Sequence, residues 1–295
     1  MKKHSGEILD KKDGAKVIDC GLCGFAHVLP IPSDEKLKHF YEKEFYQHER
    51  PNYFKETKED LSWWMSTYNN YYQLFELRTK GRKLLDIGSG PGHFLMCGKK
   101  RGWETTGIEP STSAARYSQK RGLVTYNDFF NYDHVKNLGF FDVVHAAMVL
   151  EHVPHPTGFI NDMKKMLKHN GLIAIFSPND YNPLQTVLRT EHKFKPWWVV
   201  PRHHLNYFTV KSMAHLLQRL GFVIEDVLGT YPLETFLLAG KNYVGNHGVG
   251  RACHAKRKIF EMGLYKKDPT LINDLYRGLA TVGLGREFLI IARKK

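Results

Sequence analysis

From residue 82 onward the chain repeats one unit: an apolar run, a glycine or serine turn, an amphipathic stretch, a basic close, and a glycine before the next apolar run. This rhythm constrains the fold more than any other feature, because it alternates strands with helices and makes successive strands run parallel. The runs are Lys83–Ile87, Thr105–Ile108, Leu123–Tyr126, Phe141–Ala146 and Leu172–Phe176, followed by Phe222–Leu228 and Glu287–Ala292. The first five are continuous and not alternating, as expected of strands buried on both faces. Pro91 opens a helix that closes with Lys99, Lys100 and Arg101 before Gly102, and Ser111 caps a second that stops before Gly122. Phe159, Ile160, Met163, Met166 and Leu167 predict a helix running up to Gly171, and Val210 to Leu220 predict another before Gly221. The expected fold is α/β: a Rossmann-like, seven-stranded, mostly parallel sheet with helices on both faces.

Two segments break the rhythm. Residues 178–208 are polar, aromatic and proline-bearing, and a long insertion of this kind in a compact domain is usually functional. Residues 229–285 predict two or three helices ahead of a final strand over 286–293. Residues 1–60 precede the pattern and form an N-terminal cap, leaving 61–295 as the main domain with its core at 80–230. Within the cap, Ser33 starts a helix leading to Phe40, Tyr41, Phe45 and Tyr46. The stretch from Trp63-Trp64 through Tyr68 to Tyr72 predicts a helix lying over the cleft.

The chemistry starts at the first strand, which ends in Asp86-Ile87-Gly88-Ser89-Gly90-Pro91-Gly92. Glycines at a strand-to-helix turn let backbone approach a ligand at a helix N-terminus. A dinucleotide fingerprint beginning at Gly88 needs its third glycine at position 93, where this chain has His93. The next strand closes on Glu109, a carboxylate placed to accept hydrogen bonds from two ribose hydroxyls.

These motifs resemble the class I S-adenosylmethionine-dependent methyltransferases. Leu84 to Gly92 is similar to their first motif and Gly107-Ile108-Glu109-Pro110-Ser111 to their second-strand acid. Phe141-Asp142-Val143-Val144 with Leu150-Glu151-His152-Val153 is similar to the fourth-strand motif, and Leu167 to Ile173 to the entry of the fifth strand. Cys20-Gly-Leu-Cys23-Gly-Phe-Ala-His27 and His204-Leu-Asn-Tyr-Phe208 resemble a bacterial or archaeal branch associated with sugar, lipid or quinone-like small molecules. The resemblance implies S-adenosyl-L-methionine as cofactor, with Asp86 ordering the loop and the methionine amine. It also implies that Gly88, Ser89, Gly90 and Gly92 line the methionine and sugar portions, that Glu109 holds the ribose, and that Asp128 and Phe129 receive the adenine.

Ligands of open α/β sheets sit beyond the carboxyl ends of the strands, which points to the loops after strands four and five. The titratable candidates there are His204, His152 and His203, one of which serves as base if the acceptor is a hydroxyl. Asn179, Asp180, Tyr181 and Tyr207 are the expected substrate contacts, with Trp197, Trp198 and Phe208 as possible walls. The expected reaction is methyl transfer to a small-molecule oxygen of a sugar, lipid or quinone-like compound. Methylation of RNA or protein is the alternative, and a nicotinamide-dependent sugar enzyme fits the glycine spacing less well.

The formal net charge of +13 favours an anionic partner, yet many of the cations close helices and complement their dipoles. Nucleic acid is therefore not an expected partner. No apolar run is long enough to span a bilayer and the start lacks a signal-peptide core, so a cytoplasmic chain with reduced thiols is expected. Cys20 and Cys23 have the spacing of half a zinc knuckle. Related sequences complete a ribbon with an earlier Cys-x-x-Cys pair that this chain lacks; His4 and His27 could substitute, but no bound metal is expected. The sequence sets no oligomeric state.

Overall fold

The computed structural model describes residues 4–32 and 53–295, with side chains from residue 56 onward in the second stretch. The helix expected at Ser33 and its aromatic continuation lie outside the described residues. The strands are β1 (Gly6–Lys12), β2 (Ala15–Cys20), β3 (Phe25–Leu29), β4 (Lys83–Ile87), β5 (Glu104–Ile108), β6 (Val124–Tyr126), β7 (Phe141–Ala147), β8 (Leu167–Pro178), β9 (Asn206–Tyr207), β10 (Phe222–Gly229) and β11 (Glu287–Lys294). Seven of them form one sheet in the order β10-β11-β8-β7-β4-β5-β6. The five from β8 to β6 run parallel, and β11 enters antiparallel between β8 and β10. The order reverses between β4 and β7, which opens a crevice at their carboxyl ends.

Two-sided burial explains the unbroken apolar runs. Leu85, Val144, Ile173, Ile175 and Ile290 point into one layer with Ile160, Met213 and Leu217 from helices Pro156–Lys165 and Val210–Arg219. Their neighbours Leu84, Val143, Leu172, Ala174 and Ile291 point into the other, against Tyr72, Phe75, Leu95 and Ile272. Each fully buried aliphatic side chain contributes about 1.5–3 kcal/mol, so a polar residue inside such a run calls for a local reason.

Two boundaries differ from the sequence expectation. The first helix runs over His93–Lys100, with Gly92 in the left-handed region at its start (φ +77°), so Pro91 belongs to the turn. The helix expected up to Gly171 stops at Lys165, because Leu167 pairs with Phe141 and begins β8. Apolar spacing at Met166 and Leu167 suits a last helical turn and a first strand residue equally. The cap is strand-rich where described: β1, β2 and β3 form an antiparallel sheet whose fourth member is β9 from the insertion.

Ser111 caps its helix as expected, accepting from the Ala114 amide. The insertion over 229–285 holds helices Glu234–Leu238, His247–Lys267 and Pro269–Thr281. The expected helix near Trp63 runs over Leu61–Glu76 and is pinned to that insertion, with Asn70 and Asn273 exchanging bonds of 2.7 and 3.0 Å and Trp63 donating to Glu261. No helix among the described residues is long and apolar enough to cross a membrane.

Candidate active site

A cleft of about 660 Å³ opens at the carboxyl ends of β4, β7 and β8. Its floor is the turn after β4, where Gly88 (φ +73°) and Gly90 (φ +52°) bring bare backbone to the surface. A Cβ on Gly88 would sit 2.6 Å from Val149 Cγ2, so the turn accepts no side chain there. Gly92 serves another purpose. A Cβ at that position would lie 2.3 Å from Ser118 Oγ and 2.7 Å from Leu123 Cδ1, so this glycine lets the helix pack on its neighbours behind the loop. Ser89 lines the cleft with a buried hydroxyl that has no hydrogen-bond partner.

Asp86, 3% exposed, accepts a 2.7 Å bond from His145 Nδ1. The two residues face each other across the parallel pair β4 and β7. His145 Nε2 is buried without a partner, and its ring stacks on Phe94 at 4.2 Å. Sequence reasoning missed His145, although a histidine inside the apolar run Phe141–Ala147 was the available signal. A second missed feature is Met148, which sits at the cleft with φ +54°, an uncommon backbone conformation for a residue with a Cβ.

Glu109 turns under the loop: its two carboxylate oxygens accept from the Gly90 amide at 2.7 Å and the Ser111 amide at 2.8 Å. Burial pushes its carboxyl up to about 7, against the lowering effect of those two amides. Asp128 and Phe129 follow β6. Asp128 spends its oxygens on the Phe129 amide at 2.8 Å and on His134 at 3.1 Å, and Phe129 is half-buried.

The opposite wall comes from the loops after β7 and β8. His152 Nδ1 donates to the His203 carbonyl at 2.7 Å, and the His152 and His204 rings meet edge-on at 5.1 Å. All three histidines line the cleft. Burial holds His152 down to about 4 and His204 well below its ordinary value, so both are neutral at physiological pH. His204 Nδ1 has no hydrogen-bond partner and lies 3.9 Å from Asp180 Oδ2, itself buried and unpartnered. Burial raises the acids here too, Asp180 to about 7 and Glu151 to about 8.

The remaining expected contacts are turned elsewhere. Asn179 donates to the Gly283 and Gly285 carbonyls at 2.9 and 3.0 Å and accepts from the Val210 amide at 3.2 Å, so it clasps the chain before β11 instead of facing the cleft. The Tyr181 hydroxyl donates to Asp10 at 2.8 Å, and the fully buried Tyr207 accepts from the Val200 amide at 3.2 Å. Together with Trp198 they pack against the small sheet. Cys20 at the end of β2 and Cys23 in the turn that follows it also lie outside the cleft lining. The aromatic wall is supplied instead by Trp64, Tyr68, Tyr71 and Phe176. Asn206 is a further missed residue: its amide donates to the Leu150 and Val153 carbonyls at 2.9 and 2.7 Å, fixing the two acceptor-side loops to each other.

Known proteins resemble the chain across this region. The ubiquinone biosynthesis O-methyltransferase of Psychrobacter arcticus is 25% identical over 170 residues, and that of Aeromonas salmonicida 27% over 183. The matches take in 53% and 57% of this chain, and 65% and 75% of those enzymes, so the chain spans only about two-thirds of the first of them. The solved magnesium protoporphyrin IX methyltransferase of Synechocystis, with bound SAH, superposes with a TM-score of 0.53 at 11% identity over 89% of this chain and all of that one, a likeness of fold. A family described as a methyltransferase domain matches residues 46–227, well over half of the sequence, and the chain belongs to that methyltransferase-domain family.

Proposed function

We propose that the chain transfers a methyl group from S-adenosyl-L-methionine to a hydroxyl oxygen of a small aromatic acceptor of the quinone-precursor class. The observation that carries this reading is the pairing, in one cleft, of a bare glycine turn with two neutral imidazoles, His152 and His204. The names of the curated relatives point to the same acceptor class.

The residues on the loop side fit the cofactor. The Gly88–Gly90 cradle admits a ligand against backbone, while Ser89 Oγ and His145 Nε2 offer buried polar atoms without partners. Asp86, oriented by His145, takes the amine, and Glu109 retains lone pairs for the ribose hydroxyls after holding Gly90 and Ser111. Asp128 and Phe129 border the adenine. When bound, the sulfonium supplies an activated methyl carbon, so the protein has only to align the acceptor oxygen and keep water out.

On the acceptor side, Trp64, Tyr68 and Phe176 hold an aromatic ring. His204 is the base. Its Nδ1 faces Asp180, which leaves Nε2 to take the hydroxyl proton, and His152 supports it at ring-contact distance. Three arginines of the helical insertion are taken up in ion pairs, Arg251 with Asp60, Arg257 with Glu261 and Arg277 with Asp226. The test is transfer of labelled methyl from the cofactor to pooled phenolic quinone precursors, sugars, lipids and RNA. Labelling of the phenolic pool is expected, whereas labelling confined to RNA, with salt-steep binding, would overturn the reading.

A further inference from the structure

Outside the cleft, four donor side chains from separate parts of the small sheet converge on one point. His4 precedes β1, Cys20 ends β2, Cys23 lies in the next turn, and His27 is in β3. His4 Nδ1 stands 3.1 Å from His27 Nε2, 3.4 Å from Cys23 Sγ and 3.7 Å from Cys20 Sγ, and all four donor atoms lie within 4.8 Å of one another. A tetrahedral zinc ion with Zn–N of about 2.0–2.1 Å and Zn–S of about 2.3 Å spaces its nitrogens about 3.4 Å apart and nitrogen from sulfur about 3.6 Å. The observed separations match that spacing. A hydrogen bond between the two imidazoles would explain their own contact, but not the arrival of both thiols at the same nitrogen.

The surroundings prepare these groups as ligands. His27, 2% exposed, donates from Nδ1 to the Val28 carbonyl at 2.9 Å, which fixes the tautomer and leaves Nε2 bare. Cys20 is fully buried, and the Cys20–Cys23 turn is closed by the Gly24 amide donating to the Cys20 carbonyl at 2.8 Å, with Gly24 in the left-handed region at φ +79°. Two thiols, two imidazoles and no carboxylate form a donor set that selects zinc over calcium or magnesium. On binding, each thiol gives up its proton to solvent, and the two thiolates neutralise the dication.

The position of the site gives it a consequence. His27 pairs with Asn206 and Ala26 with Tyr207, so β3 sets the register of the strand that follows His203 and His204. The Leu205 and Asn206 amides both donate to the Glu151 carbonyl, at 2.7 and 3.0 Å. We propose that His4, Cys20, Cys23 and His27 bind one structural zinc ion, which locks the small sheet and through β9 holds the acceptor-side histidines in place. The zinc site does not rest on the methyl-transfer reading, because its donors lie outside the cleft.

The 295-residue chain, purified without chelator, is expected to contain about one zinc ion by plasma mass spectrometry. Under reducing conditions Co²⁺ alone should give the intense visible bands of a tetrahedral centre and a thiolate-to-cobalt charge-transfer band, and Cys23→Ala and His4→Ala should each lose both. Stripping zinc from the wild type should lower Tm by ~5 °C or more and speed amide exchange at residues 204–208, while affinity for S-adenosylhomocysteine stays within about threefold. Wild-type chain that takes up neither metal, or variants that keep the full cobalt spectrum, would overturn the site. Unchanged exchange at 204–208 after stripping would overturn its coupling to the acceptor wall.

Discussion

The two walls of the cleft are built differently. On the loop side the ionisable groups are paired: Asp86 with His145, and Glu109 with the amides of Gly90 and Ser111. Those bonds fix a backbone shape before any ligand arrives, and only single polar atoms, Ser89 Oγ and His145 Nε2, are left over. Across the cleft, Asp180 Oδ2 and His204 Nδ1 are buried without partners, and burial there pushes acids up and histidines down, so that His152 and His204 are neutral and Glu151 is protonated at neutral pH. Burying unpaired polar groups costs free energy, and such groups persist where a ligand or a reaction uses them. One wall is therefore a mould and the other a set of poised groups, and variants should separate binding from turnover along that line.

The largest separation is expected from His204→Ala. Removing the base should lower kcat for the phenolic acceptor ~10²–10³-fold while leaving S-adenosylhomocysteine affinity within about twofold by calorimetry, since the loop side is untouched. Equal losses in both quantities would show that the walls are not independent. Asp86→Asn should do the reverse. An amide in place of a carboxylate that accepts a charge-assisted bond weakens both the His145 contact and the hold on the cofactor amine, so S-adenosylhomocysteine affinity should fall ~10–100-fold. Unchanged affinity in that variant would mean the loop shape does not depend on the buried pair.

The same contrast explains what could be read from sequence. Gly88 and Gly92 were legible because backbone conformation and close packing demand glycine whatever surrounds them, and these demands are local to the turn. The strand runs were legible because burial on two faces leaves an unbroken apolar text. His145 was not, since its meaning comes from register with Asp86, set by pairing between segments far apart in the chain. Tyr181 and Asn179 looked like acceptor contacts from their place in a polar insertion, yet their directions are set by Asp10 and by the carbonyls of Gly283 and Gly285. The small sheet escaped notice because β9 is two residues long and its partners lie near the start of the chain.

The smallest expected effects differ in sign between the walls. Glu109→Gln turns one acceptor into a donor facing the Gly90 or Ser111 amide, so it should destabilise the fold by about 1–3 kcal/mol near pH 5, a deficit that shrinks as pH rises toward 7 because Gln cannot ionise as Glu109 does. Glu151→Gln should act oppositely, with a pH dependence that follows from burial. The folded protein holds the Glu151 proton up to about pH 8, whereas in the unfolded chain the group ionises near its ordinary value of 4.5. Below the unfolded value both states are protonated and the acid costs nothing. As pH rises from about 4.5 to about 8, the unfolded chain releases a proton that the fold retains, so wild-type stability falls by at most about 1.4 kcal/mol per pH unit. Gln keeps the shape of the protonated acid and cannot ionise, so the Tm difference between Glu151→Gln and wild type should be small at pH 5 and grow to a gain of at most about 7 °C at pH 8. His152 and His204 titrate in both proteins and cancel in that difference. A difference that stays flat, or shrinks as pH rises, would mean that Glu151 is ionised at neutral pH.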